Sequence, residues 1–332
     1  MNMSYSIPEI EPQVDELRRR LNDLRLSLSR YFVGKEDVID LMVVCALAQE
    51  PLLLVGPPGT AKSDLVLKFV QAIGLGGEDY FEYMLTKFTE PSEILGPVDI
   101  NLLRDGRYTR RVAGKLPTCK LAFLDEIFKS NSAILNTLLT IINERKFYQD
   151  GQPEPVALRV LFAATNEIPE LAELGALRDR FTVKVESLPV LDSRFDELID
   201  LGLSHESYKA RNQRPWANLA QLDDLLKLKL YLDHLMSQGR GGSAEGDRAR
   251  YFPEPVYLLF KRIIRTLQRE DGVEISDRKA IKLYKLIRAR AFLFHGGTVT
   301  KGDLCLLRYV ADRAQDFAPV RAKVDSILKL DL

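Results

Sequence analysis

Leu52-Leu53-Leu54-Val55-Gly56-Pro57-Pro58-Gly59-Thr60-Ala61-Lys62-Ser63 joins four apolar residues directly to a glycine- and proline-rich turn that ends in Lys-Ser. This order predicts a buried strand, a loop that wraps phosphate groups, and the first turn of a helix. The backbone N–H groups of such a loop and the positive end of the helix both attract phosphate oxygens. We therefore expect an α/β domain that binds a nucleotide.

The residues of this loop have distinct predicted roles. Lys62 would reach the terminal phosphates as a point charge, and the Ser63 hydroxyl would ligate Mg²⁺. The usual pattern has glycine before the lysine, whereas this chain has Ala61. We expect a right-handed backbone at Ala61, where a methyl group is tolerated; an ordinary strand-turn-helix corner is the alternative. The expected nucleotide contacts here are Gly56, Pro57, Pro58, Gly59, Thr60, Ala61, Lys62, Ser63 and Asp64.

The composition restricts the class of protein. The chain has 332 residues, enough for about two domains, and its 47 basic and 47 acidic side chains balance. That balance gives no reason to expect nucleic acid or an anionic membrane as a partner. No apolar run is long enough to span a bilayer, and the N-terminus lacks a signal-peptide core. Three scattered cysteines and three separated histidines form no disulfide or metal pattern, so we expect a cytoplasmic protein.

A second informative segment is Lys120-Leu121-Ala122-Phe123-Leu124-Asp125-Glu126, an apolar strand that ends in two carboxylates. In open α/β sheets, ligands bind at the carboxyl ends of the strands. Asp125 would hold Mg²⁺ directly or through water, and Glu126 would polarise the attacking water. The alternative is that the two carboxylates are a helix N-cap and a surface residue.

Three further polar positions are candidates for the same site. Asn166 ends an apolar strand, where its amide can contact a γ-phosphate and a water, or can simply terminate the strand. Arg180 is either an exposed residue or one that reaches a neighbouring subunit's nucleotide, with Arg178 as the fallback. Arg278 lies in the first turn of a predicted helix, where an exposed arginine is the ordinary interpretation.

The order of predicted elements divides the chain into two parts. Residues 1–190 alternate strands and helices, with Asp-Gly turns that predict hairpins at about 98–112 and 147–156. Residues 191–332 are predicted to be helical, with a last helix at about 301–317. The glycine-rich segment at about 239–247 predicts a flexible loop.

Taken in order, these segments resemble the AAA+ ATPases. The resemblance implies a P-loop core with a parallel sheet flanked by helices, followed by an all-α lid. It makes Gly56–Ser63 the Walker A loop, Leu121–Glu126 Walker B, Asn166 sensor 1, Arg180 the arginine finger and Arg278 sensor 2. Phe32, Val33 and Gly34, which precede the second helix, complete the expected nucleotide-binding set.

Within AAA+, the chain resembles the MoxR family and most of all its RavA branch. The shared features are Ala61-Lys62-Ser63, the run Phe123–Lys129, Ala164–Glu170 and Ser276–Lys279. The resemblance makes 98–112 the helix-2 insert of this clade and 147–156 its pre-sensor hairpin. RavA has a long extension after the lid, so a partner interaction that depends on that extension is not carried over.

The resemblance implies a Mg²⁺-dependent ATPase that forms a hexameric ring. Lys62, Glu126, Asn166 and Arg180 would be its catalytic residues, and Ser63 and Asp125 its metal ligands. Its output would be the remodelling or maturation of a client protein with a von Willebrand A-domain partner. The alternatives are a nucleotide-dependent scaffold with slow hydrolysis, a relative dedicated to one client such as a Rubisco activase or gas-vesicle factor, and a DNA remodeller. Zero net charge and the lack of a basic tail argue against the last.

Overall fold

A five-stranded parallel sheet forms the centre of the molecule. The structure, a computed structural model, describes residues 5–237 and 246–330. The strands of this part of the chain are β1 Leu52–Val55, β2 Tyr80–Met84, β3 Leu121–Asp125, β4 Lys146–Gln149, β5 Gln152–Pro155, β6 Val160–Thr165 and β7 Val183–Glu186. The sheet has the order β2-β3-β6-β1-β7, and all its pairings are parallel. Strands β1 and β6 are buried along their whole length, as expected for parallel strands covered by helices.

Helices flank the sheet and make up the C-terminal part. Their bounds are α1 Ile7–Ile10, α2 Val14–Ser29, α3 Glu36–Ala48, α4 Lys62–Ala72, α5 Pro91–Leu95, α6 Ile100–Arg104, α7 Ser132–Glu144, α8 Gly175–Arg178, α9 Phe195–Ala210, α10 Leu222–Ser237, α11 Asp247–Tyr251, α12 Glu254–Glu270, α13 Asp277–His295 and α14 Phe317–Leu330. A parallel sheet with flanking helices followed by a helical part confirms the predicted α/β architecture.

Helix α3 is the most deeply buried helix of the core. Every residue from Leu41 to Ala48 is buried, because the helix packs on strands β1, β6 and β7 and is covered by α2, α10 and α13. The long apolar run is therefore explained by contacts on several sides. No helix in the described ranges is long and apolar enough to cross a bilayer.

The segment 98–112 differs from the predicted hairpin. It contains helix α6, and only the isolated bridge between Val98 and Arg110 remains of a strand pairing. The cause is Asp99, whose side chain accepts hydrogen bonds from the backbone N–H groups of Asn101 and Leu102 and so starts a helix. The prediction of a hairpin at this position is wrong.

The segment predicted as a hairpin at 147–156 forms the antiparallel pair β4 and β5. Its turn residues Asp150 and Gly151 both have positive φ, at 49° and 73°. The insert packs on this hairpin, since Tyr108 N donates to Asp150 Oδ1 at 3.1 Å and Arg110 N donates to Gln149 Oε1 at 2.6 Å.

Two C-terminal predictions also need comment. The single helix predicted at about 301–317 is a 3₁₀ helix at Lys301–Tyr309 followed by α14, with the break at the turn that contains Asp312. Of the loop predicted at 239–247, residues 239–245 lie outside the described residues, and Asp247 begins α11.

Helix α9 has no buried residue, although it is 16 residues long. Its outer face carries Phe195, Ile199 and Leu203, which are 54%, 46% and 67% exposed. These residues follow each other at intervals of four and form one apolar stripe, which we call the α9 stripe. The helix therefore obtains little stabilisation from the rest of the described chain.

A buried cluster of three charged side chains joins the sheet to the C-terminal helices. Lys184 of β7 donates to Asp312 Oδ1 at 2.7 Å, and Lys279 of α13 donates to Asp312 Oδ2 at 2.8 Å. Lys184 also donates to the carbonyl oxygen of Phe181 at 2.8 Å. Burial lowers the pKa of Lys184 to about 8 although Asp312 opposes this shift. One carboxylate thus stabilises two buried ammonium groups.

We expect Asp312→Asn to lower the free energy of unfolding by about 3 kcal/mol, because it leaves two buried lysines without a counter-charge. Urea unfolding followed by circular dichroism measures this change. The matched control is Glu270→Gln, which breaks the exposed pair with Lys323 and should change stability by less than about 0.5 kcal/mol. If Asp312→Asn lowered the free energy of unfolding no more than Glu270→Gln does, the cluster would not stabilise the contact between the sheet and the C-terminal helices.

Candidate functional site

The candidate site lies at the carboxyl ends of three adjacent strands. Strand β6 lies between β3 and β1, and because all three are parallel their ends meet at one edge of the sheet. That edge carries Asp125 at the end of β3, Asn166 directly after β6, and Gly56 directly after β1. Gly56 N donates to the carbonyl oxygen of Thr165 at 3.1 Å, which continues the pairing of β1 and β6 into the loop.

The phosphate loop closes against the residue that follows β7. Ser187 N donates to Val55 O at 2.7 Å, and its hydroxyl donates to Thr60 O at 2.7 Å. A Cβ atom on Gly56 would lie 2.4 Å from the carbonyl oxygen of Ser187, so only glycine fits there. Thr60 Oγ1 in turn donates to Pro57 O at 2.9 Å, which fixes the loop internally.

A hydrogen-bonded chain of side chains joins Lys62, Asn166 and Glu126. Lys62 Nζ donates to Asn166 Oδ1 at 3.3 Å and to the carbonyl oxygens of Gly56 and Pro57 at 2.5 and 3.0 Å. Asn166 Nδ2 donates to Glu126 Oε1. Burial lowers the pKa of Lys62, against the opposing charges of Asp125 and Glu126. The structure therefore brings together the predicted lysine, carboxylates and asparagine.

Glu126 is held in a sparsely populated backbone conformation. Its φ is 52°, its side chain is buried, and its N–H donates to Asp125 Oδ1 at 2.9 Å. Lys129 Nζ lies 3.1 Å from Glu126 Oε1. Non-glycine residues in this region of φ are uncommon and cluster at functional sites. The strand end thus directs one carboxylate inward toward Asn166.

Asp125 and Ser63 fit a magnesium ion that completes its coordination with phosphate and water. Asp125 is half-buried and commits one oxygen to the Glu126 N–H, while Ser63 is exposed. No group of three His, Cys, Asp or Glu side chains that could hold a metal occurs within the described ranges. Mg²⁺ in nucleotide enzymes is commonly bound by one or two protein oxygens plus phosphates, so two protein ligands suffice.

The backbone at Ala61 is left-handed, with φ 64° and ψ 19°, so the expectation of a right-handed conformation is wrong. The loop has to reverse direction between Thr60 and the first helical residue Lys62, and this reversal requires positive φ. The steric cost of the Ala61 methyl group in this region is about 1–2 kcal/mol.

A cavity of about 250 Å³ lies beside the phosphate loop. Gly59, Thr60 and Ala61 form one wall, and Phe32 and Val33 belong to its largely apolar remainder. Gly34 lies next to this wall with φ 64°, and a Cβ atom there would lie 2.9 Å from Val190 Cγ1. The predicted contacts at 32–34 are therefore close to the loop. Lys62, Asp125, Glu126 and Asn166 are not in the cavity wall, which is mostly apolar and suits a nucleoside next to the phosphate loop.

An aromatic cluster supports the side of the cavity formed by α9. His205 stacks on Tyr31 with ring centres 6.0 Å apart and lies 6.2 Å from the ring of Trp216. Lys68 Nζ lies 4.7 Å from the Trp216 ring centre and 2.6 Å from Asp64 Oδ2. Burial and the nearby Lys68 charge lower the pKa of His205, which keeps the imidazole neutral at neutral pH.

The structure does not bring the predicted arginines to this edge of the sheet. Within residues 5–237 and 246–330, Arg180 pairs only with its neighbour Asp179, at 3.4 Å, and Arg178 donates to Pro169 O at 2.9 Å. Arg278 is exposed and makes no hydrogen bond or ion pair with the residues that the structure describes. Within one copy of the described chain, none of the three contacts Lys62 or Glu126.

Sequence reasoning did not identify Lys35 or the residues of α9 that line the cavity, namely Leu198, Leu201 and His205. Lys35 directly follows the predicted contact residue Gly34, and this position in the sequence could have indicated that Lys35 belongs to the site. Helix α9 offered no such signal because its apolar residues lie on two faces.

Two models of known protein families match most of the chain. A family model described as the MoxR domain in the MoxR-vWA-beta-propeller ternary systems matches residues 19–227. A model of an AAA lid domain matches residues 256–321. The two models together cover both the site and most of the C-terminal helices.

Several individual proteins are similar to parts or most of the chain. An uncharacterized protein of Methanocaldococcus jannaschii is 43% identical over 298 residues, which are 90% of this chain and 71% of the relative. The chaperone MoxR1 of Mycobacterium tuberculosis is 25% identical over 177 residues, 52% of this chain and 44% of MoxR1. The crystal structure of a candidate ATPase from Cytophaga hutchinsonii superposes with a TM-score of 0.69, at 17% identity and over 97% of both chains. This last similarity concerns the fold alone.

We expect Ala61→Gly to raise the free energy of unfolding by up to about 1 kcal/mol, because glycine adopts positive φ without steric cost while loosening the unfolded chain. Thermal and urea unfolding measure the change. The control is Ala133→Gly in the right-handed first turn of α7, which should lose about 0.5 kcal/mol. If Ala61→Gly lowered the free energy of unfolding as much as Ala133→Gly does, the left-handed conformation of Ala61 would be contradicted.

Proposed function

This chain belongs to the MoxR family of AAA+ ATPases, and from that membership we propose that it hydrolyses ATP to remodel or mature a client protein. The observation that carries the proposal is the chain of hydrogen bonds from Lys62 through Asn166 to Glu126 at the edge of the sheet. A phosphate-binding cation, a polar amide and a carboxylate in contact are the groups that phosphoryl transfer to water needs.

Each residue of the chain has a role in the proposed reaction. Lys62 neutralises charge on the terminal phosphates, since its present neighbours are neutral oxygens. Glu126 accepts a hydrogen bond from the attacking water, and Asn166 orients that water. Asp125 and Ser63 hold Mg²⁺, which neutralises phosphate charge when it is bound. Phe32, Val33 and Gly34 contact the nucleoside.

The arginines complete the site in an assembly of several copies, for which we propose a hexamer. Arg180 is the proposed finger, because its only described ion pair is a weak one with Asp179 and it can be released toward a neighbour's γ-phosphate. Arg178 donates a hydrogen bond to the backbone of Pro169 and therefore positions the segment that contains Arg180. Arg278 is exposed at the start of α13 and is the proposed sensor 2, which a movement of the lid would bring to the nucleotide.

The output of hydrolysis is a movement of the lid relative to the core. We place the division near residue 190, with the insert at 98–112 and the hairpin at 147–156 on the core side. The matching family is described by its ternary systems with vWA and β-propeller proteins, and we therefore propose a partner with a von Willebrand A domain. The motifs at 123–129 and 276–279 favour the RavA branch.

We expect Glu126→Gln to reduce ATP turnover at least about 100-fold while ATP binding is retained, because the amide cannot accept a proton from water. Phosphate release measures turnover and isothermal titration measures binding. The control is Glu167→Gln, the same chemical change at an exposed residue beside Asn166, which should leave the rate within about twofold. Parental turnover by Glu126→Gln would contradict the assignment of the base.

Arg180→Ala should reduce turnover about 1,000-fold without weakening ATP binding if the arginine acts on a neighbour's nucleotide. A mixing experiment tests this. Lys62→Met subunits bind no ATP but still carry Arg180, so adding them to Arg180→Ala subunits should restore part of the activity. An Arg180→Ala protein with full activity, or a mixture without recovery, would refute the assignment to Arg180 in trans.

A further inference from the structure

Lys35 is a buried cation in the wall of the cavity beside the phosphate loop. It is 4% exposed and precedes α3, and its Nζ donates to the carbonyl oxygen of Leu188 at 2.5 Å. The same cavity is lined by Gly59 and Thr60 of the loop. Lys35 forms no ion pair with a carboxylate within the described residues.

The other buried lysines show why this is unusual. Five lysines are buried within the described ranges, and three of them pair with a carboxylate, namely Lys68 with Asp64 and both Lys184 and Lys279 with Asp312. Among the buried lysines in the described part of the chain, only Lys35 and Lys62 lack a carboxylate partner there. An ammonium group out of water is unfavourable unless an opposite charge compensates it. Both exceptions lie beside the phosphate loop, so a single anion could compensate both.

The charges around Lys35 agree with this interpretation. Burial and, to a lesser extent, the Lys62 charge lower the pKa of Lys35 to about 8, while Glu36 opposes the shift. Glu36 itself is exposed and paired with Arg194 at 3.2 Å. Three more titratable groups line the cavity: Tyr31, whose pKa burial raises, Asp64, which is paired with Lys68, and His205, whose lowered pKa keeps it neutral near pH 8.

We propose, on the basis of the ATPase function proposed above, that Lys35 is a second phosphate-binding ammonium group of the nucleotide site. Adenine and ribose offer only neutral acceptors, whereas the phosphate chain supplies the missing negative charge. Lys35 therefore discriminates nucleotides by the phosphates they carry, and its own burial destabilises the ligand-free protein.

The test is Lys35→Met, which keeps the length of the side chain and removes its charge. We expect the Kd values for ATP and ADP to rise about 10- to 100-fold and the affinity for adenosine, measured by displacement of a fluorescent ATP analogue, to stay within about twofold. Because an uncompensated buried charge is removed, we expect the Tm of the ligand-free variant to rise by about 3 °C.

Proton uptake gives an independent readout of the same contact. At pH near 8 Lys35 is about half protonated, and a bound phosphate would restore its proton. Calorimetry in Tris and in HEPES should show that the wild type takes up about half a proton more per ATP than Lys35→Met does. Lys62 is present in both proteins, so the difference reports what the loss of Lys35 changes.

The controls separate the possible failures. Lys323→Met removes the same charge from an exposed lid position and should leave ATP affinity within about twofold. If Lys35→Met binds ATP as tightly as the wild type does, the inference about Lys35 is refuted while the proposed ATPase function stands. The same conclusion follows if the variant loses equal affinity for adenosine and for ATP, or if its Tm is lower than that of the wild type. A wild-type protein that binds no ATP would overturn the proposed function as well.

Discussion

The geometry of the candidate site depends on a close approach between Gly56 and the carbonyl oxygen of Ser187. The strand β1 lies between β6 and β7, so its end is bounded by the Thr165 carbonyl on one side and by Ser187 on the other. There is no room for a side chain at the point where the loop leaves the sheet. This constraint directs the turn that brings Lys62 back over the strand ends, where its ammonium group donates to Asn166, which in turn donates to Glu126.

Strand β7 lies between the phosphate loop and the C-terminal part of the chain and contacts both. Its last residues lead into Ser187 and hence the phosphate loop, Lys184 in its middle binds Asp312 of the C-terminal part, and Glu186 pairs with Arg321 at 2.9 Å. The same Lys184 binds the backbone of Phe181, directly after Arg180. One edge strand thus contacts the phosphate loop, the segment next to Arg180 and the C-terminal part of the chain.

The sequence was sufficient to predict the sheet and to place Asp125, Glu126 and Asn166 at its carboxyl edge. Strands β1, β3 and β6 are apolar runs, and the polar residues at the ends of β3 and β6 identify Asp125, Glu126 and Asn166 because parallel strands share one functional edge. The backbone conformation was harder to predict from the sequence. Ala61 has positive φ because of the loop around it, and Asp99 caps a helix where an Asp-Gly turn suggested a hairpin. The burial of Lys35 depends on segments that are distant in sequence, so local patterns could not indicate it.

The sparse packing of α9 has a consequence for how the protein responds to ligands. Its inner residues line the cavity, whereas the α9 stripe contacts nothing within the described residues that buries it. The free energy of local opening is small for a helix with so few buried contacts, and a nucleoside in the cavity would add to them. Amide hydrogens of α9 should therefore exchange with deuterium faster than those of α3, and ligand occupancy should slow them selectively. The helix would then report the state of the site as a change in local order.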